Sequence, residues 1–132
     1  PINKSEVTNA ILSNKNNLKK IVKVVHVEIR KKMNIFLKKN KQKKIVILDI
    51  PLLLENKINK KNDILIFVQS RRVDIFKRLN KRANFNLKLF NKFKSIQLPL
   101  DYKKKKSQFI ILNNFTKTSV KNSIKKIINK IK

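Results

Sequence analysis

Two short stretches of this chain carry side chains that could grip a ligand. In the first, His26 and Arg30 stand one helical turn apart within VVHVEIR, so an imidazole and a guanidinium can face one molecule. In the second, the apolar run Ile45 to Leu48 meets Asp49, then Ile50, Pro51, Leu52, Leu53, Leu54 and a second acid, Glu55. Pro51 lacks the N–H that a sheet ladder needs, so the chain must leave a strand there and place Leu52 to Glu55 at the strand's carboxyl end. In open α/β sheets that edge is where ligands bind. Plainer readings stand beside these: a histidine next to an apolar face can simply be packed, and Arg30 within RKK can belong to a solvated charged face.

A third candidate lies further on. Arg78 and Arg82 are also one turn apart, on a helix read over SRRVDIFKRLNKR, and make either an anion clamp or two solvated arginines. Phe85, Phe90, Phe93 and Tyr102 alternate with lysines, a pattern that serves stacking on single-stranded bases or, at helical spacing, ordinary packing. The chain has no cysteine, one histidine and seven acidic residues. That excludes a disulfide framework and a thiolate metal site, and no metal ligand set is expected.

At 132 residues there is room for one core, and a single domain is expected. The net charge of +28 points to a polyanionic partner, or equally to a lysine-rich genome composition, since the lysines are spread over every segment. No apolar run approaches the ~20 residues of a membrane span, and the first residues are polar, so no membrane partner and a cytoplasmic location are expected.

The elements that must position these side chains follow from periodicity. Apolar residues at helical spacing predict helices over about 4–40, the first capped by Ser5 and the second running to about Lys39. Apolar runs predict core strands over about 44–50, 63–69 and 108–112, with 45–50 as the central type buried on both faces. Ser70 is the expected cap of the helix that carries Arg78. Further basic helical pieces cover about 78–106, and a last amphipathic helix covers about 117–131. The fold class is α/β.

VVHVEIR, VILDIPLLLE, FKRLNKR, QLPLDYK and FIILNN, in that order, resemble the carboxyl-terminal two thirds of the dephospho-coenzyme A kinase family. That family carries a His-Pro element, a Pro-Leu-Leu-x-Glu motif, an Arg-x-x-x-Arg helix, a Gln-x-Pro-x-x-x-Lys segment and a strand that ends in asparagine. The resemblance implies a three-layer P-loop NTPase-like parallel sheet flanked by helices, with a helical lid. It implies transfer of the γ-phosphoryl group of ATP, with Mg2+, to the ribose 3′-hydroxyl of dephospho-coenzyme A, the last step of coenzyme A biosynthesis. Carried over, His26, Arg30, Pro51, Leu52, Leu53 and Glu55 fall on the acceptor side, Arg78, Arg82, Gln97 and Lys103 on the lid, and Asn113 on the adenine side.

Departures accompany the match. Val27 stands at the place of the family's proline, Lys92 where arginine is common, Gln108 for an aspartate and Phe115 where glycine usually follows the asparagine. The sequence has no glycine, hence no G-x-x-x-x-G-K-[ST] phosphate loop. The expectation is therefore a kinase piece, inactive alone, whose first strand, phosphate loop and catalytic base lie upstream of Pro1, with no catalytic residue of its own. Two other readings are a basic nucleic-acid-binding domain and another nucleoside or nucleotide kinase of the same fold. The spread of the lysines and the buried-strand pattern disfavour specific nucleic-acid recognition.

Overall fold

A computed structural model describes residues 2–131. It contains α1 (Lys4–Ser13), α2 (Lys15–Lys39), β1 (Ile66–Gln69), α3 (Arg72–Asn80), α4 (Leu87–Ser95), α5 (Leu100–Lys106), β2 (Phe109–Leu112) and α6 (Lys117–Ile131). The chain divides into two compact units. One comprises Pro1–Asn59 with Asn86–Gln97, and the other Lys60–Phe85 with Leu98–Lys132.

In the first unit, asparagines do most of the capping. Asn3, not Ser5, caps α1, its Oδ1 accepting from the N–H groups of Ser5 at 3.0 Å and Glu6 at 3.5 Å. Asn14 is extended at φ −135°, ends α1 and caps α2 by accepting from the Asn16 N–H at 2.8 Å. The last carbonyls of α1 have no partner inside the helix, and side chains supply them. Asn17 Nδ2 donates to Ala10 O at 2.8 Å, while Lys92 Nζ on α4 donates to Ile11 O at 2.7 Å and Leu12 O at 3.0 Å. A lysine at that place also meets the negative end of the helix dipole. Ile11, Leu18 and Ile58 are buried in this unit, and so is His26.

In the second unit, β1 and β2 pair in parallel with Ile66 opposite Phe109 and Gln69 opposite Leu112. The ladder is lengthened at one end by Gln108, whose N–H donates to Leu65 O at 2.9 Å and whose Oε1 accepts from Leu65 N at 2.7 Å. At the other end the Asn113 N–H donates to Gln69 O at 2.8 Å. α6 packs against β2, and Ile111 and Ile127 are buried. α3 starts after Arg71, which makes no side-chain cap, instead of at Ser70.

The expected central strand over 44–50 is not a strand. These residues pair with no ladder, and Ile45 and Ile47 are 48% and 84% exposed. An apolar run becomes a strand only where neighbouring backbone meets its N–H and C=O groups, and none of the described residues does so. The family fold class therefore shows as a two-stranded parallel sheet with helices.

Candidate functional site

The candidate site lies wholly within the first unit and starts from the loop after Pro51. Leu52 is left-handed at φ 55°, and Leu52 to Asn56 make a single helical turn, the Asn56 N–H donating to Leu52 O at 3.1 Å. The turn closes as a Schellman motif: the Ile58 N–H donates to Leu53 O at 3.1 Å, and the N–H of Lys57, left-handed at φ 49°, to Leu54 O at 3.2 Å. Glycine is the usual residue at both left-handed places, and a side chain there costs about 1–2 kcal/mol. Burial of Ile58 just past the motif helps to hold the turn shut.

That turn presents Asn56 to α2. Asn56 Nδ2 donates to Leu52 O at 3.0 Å and lies 3.2 Å from His26 Nε2, while Asn56 O accepts from Arg30 Nη2 at 2.6 Å. His26 is buried to 6% exposure, and its Nδ1 has no hydrogen-bond partner. A buried donor or acceptor left unmet costs about 1–3 kcal/mol.

Around these contacts lies a cavity of about 490 Å³. Lys19, Val22, Lys23, His26, Val27 and Arg30 of α2 form one wall, Leu52, Glu55 and Asn56 a second, and Ser95 and Ile96 at the end of α4 a third. Three cations face one carboxylate, so an anionic ligand is favoured, and the apolar parts can cover its uncharged portion. Of the residues expected on the acceptor side, His26, Arg30, Leu52 and Glu55 line the cavity together. Pro51 is exposed and Leu53 half-buried; neither lines it. Asn56 was not anticipated. The signal available was its place directly after Glu55, with an amide able to bridge two backbone turns.

Gln97 belongs to the same unit, exposed in the turn after α4, its N–H donating to Lys94 O at 3.1 Å. The other expected lid and adenine residues belong to the second unit. Asn113 sits at the carboxyl edge of the sheet and its Oδ1 accepts from the Phe115 N–H at 2.8 Å. Phe115 is left-handed at φ 63°, at the place where the family has glycine, and the Arg78 guanidinium lies 4.5 Å from its ring centroid. Arg78 is thus brought to the sheet edge near Asn113. Arg82 is exposed on the turn that follows α3, and Lys103 is half-buried on α5.

The family model for dephospho-CoA kinase matches residues 2–119. The chain belongs to the dephospho-CoA kinase family. A relative named dephospho-CoA kinase from Wolbachia pipientis wMel is 30% identical over 132 residues, spanning 98% of this chain and 67% of its own length. One of the same name from Wolbachia sp. subsp. Brugia malayi (strain TRS) is 29% identical with the same coverage. That from Bacillus anthracis is 32% identical over 112 residues, 82% of this chain and 55% of its own. Dephospho-CoA kinases are transferases of α/β fold that take the phosphoryl group from ATP. Among the described residues, no helix is long and apolar enough to cross a membrane.

Proposed function

We propose that this chain carries the acceptor-binding and lid portions of a dephospho-CoA kinase, which moves the γ-phosphoryl group of ATP onto the ribose 3′-hydroxyl of dephospho-coenzyme A. The observation that carries this reading is the cavity in which VVHVEIR and PLLLE, apart in sequence, bring His26, Arg30, Leu52 and Glu55 together. Phosphoryl transfer depends mainly on positioning and on neutralising charge. Arg30, with Lys19 and Lys23 nearby, would hold a phosphate of the acceptor, and Glu55 would orient a hydroxyl. Arg78, Arg82 and Lys103 would neutralise the nucleotide phosphates as a lid, with Gln97 as a further lid contact, and Asn113 would meet adenine. The sequence has no glycine and no G-x-x-x-x-G-K-[ST] phosphate-loop motif, and no residue is assigned that role. Mg2+ belongs to the family's reaction, but no cluster of acidic or histidine ligands that could hold a metal occurs among the described residues. No step proposed for this chain runs through it.

The test is a chimera. The 132 residues are fused behind the amino-terminal segment of the Wolbachia pipientis relative and assayed for ATP-dependent phosphorylation of dephospho-coenzyme A beside the unfused chain. Turnover is expected in the fusion, with Arg30→Ala raising the KM for dephospho-coenzyme A by roughly 10–100-fold, the scale of one lost hydrogen bond to a charged group. A fusion that phosphorylates nucleoside monophosphates in preference, or chains that only bind nucleic acid in a steeply salt-dependent way, would overturn the reading.

A further inference from the structure

We propose that Asn56 is the positioning residue of the cavity, fixing which nitrogen of His26 bears the hydrogen while holding Arg30 on the same wall. The inference starts from Leu52 O. This carbonyl can only accept, and it lies 3.0 Å from one end of the Asn56 amide, so that end is the nitrogen. The reverse orientation would set two oxygens against each other. Asn56 Nδ2 also lies 3.2 Å from His26 Nε2. An amide nitrogen donates, so Nε2 must be the bare, accepting nitrogen of the neutral ring and Nδ1 carries the hydrogen. That is the less common tautomer of a free histidine side chain, and the protein's backbone selects it: Leu52 O orients Asn56, and Asn56 orients His26.

The consequence for the site is specific. The ring's hydrogen is left on a buried nitrogen that no protein group meets, in a residue lining the cavity. Meanwhile Asn56 O takes the Arg30 guanidinium at 2.6 Å. One residue outside the family motifs thus fixes two of the side chains that α2 presents to the cavity, His26 through its amide and Arg30 through its carbonyl. The cations that line the cavity, Lys19, Lys23 and Arg30, favour a ligand with acceptor oxygens, as a phosphorylated nucleotide has. That ligand rests on the acceptor-pocket reading above; the tautomer does not.

The chain has one histidine, so its ring nitrogens can be read without assignment ambiguity. Long-range 1H–15N correlation spectra of the 132-residue chain should show a protonated Nδ1 and a bare Nε2. Asn56→Ala removes the donor and should move the hydrogen to Nε2 as the main form. Asn56→Asp, which keeps the shape but has no N–H, should do the same. Amide spectra of α2 report on folding in each variant. A wild-type ring with its hydrogen on Nε2, or a tautomer unchanged in a folded Asn56→Ala chain, overturns the proposal. Dephospho-coenzyme A is then added to the wild-type chain. A tautomer as expected with cavity resonances that do not shift would sink the acceptor-pocket reading and leave the role of Asn56 standing.

Discussion

The two units hold their candidate site residues in different ways. In the first, His26 and Arg30 are tied through Asn56 to backbone atoms of a closed turn, at 2.6 to 3.2 Å. In the second, Arg78 rests on the face of Phe115 at 4.5 Å and Arg82 is exposed. A backbone carbonyl fixes a donor in distance and direction, whereas an aromatic face lets a guanidinium slide at little cost. The cavity wall is thus held by directional contacts within the protein, and the arginines of the other unit keep the freedom to meet charge wherever it lies. In the proposed reading this is the division between an acceptor pocket and a lid.

The contrast can be broken most severely at Lys92. Its ammonium donates to two carbonyls at the end of α1, so Lys92→Ala should destabilise the first unit by roughly 2–3 kcal/mol, the scale of a hydrogen bond to a charged group plus an orphaned acceptor. Amide hydrogen exchange checks it: α1 should exchange faster while the β1–β2 ladder keeps its protection. Equal loss in both would mean that the units do not respond separately. A smaller change sharpens the same picture in the opposite direction. Lys57→Gly relieves a left-handed residue and should stabilise the turn by about 1 kcal/mol, read as slower exchange at the Ile58 amide. The smallest effect belongs to the second unit. Phe115→Leu removes the ring beneath Arg78 and should cost only about 0.5–1 kcal/mol, seen as increased side-chain motion of Arg78 in 15N relaxation with the sheet intact.

The helices were legible to within a few residues, because a 3.6-residue apolar period survives whatever the helix packs against. Their caps were less so. Asn3 and Arg71 begin α1 and α3 where serines were expected, since several polar residues near a helix start can compete for that place. The run over 44–50 misled for a deeper reason: apolar character records a wish for burial, and pairing needs a neighbour that the run does not encode. Gln108 shows the reverse case, a side chain that extends a ladder by mimicking backbone.

For the site, the spacing of His26 and Arg30 was enough to suggest one ligand, and the resemblance of VVHVEIR and PLLLE to the family's motifs joined Leu52 and Glu55 to them. Asn56 escaped notice because its role lies in the direction of Leu52 O, set by a left-handed backbone turn in a chain without glycine. By itself, then, the sequence determined the helices, the motif series and through it the family, since these depend on local periodicity and residue order. Tertiary structure decided which apolar runs found partners, which residues share the cavity and which histidine nitrogen bears the hydrogen. Those depend on where a backbone carbonyl ends up in space, and contacts distant along the chain set that position.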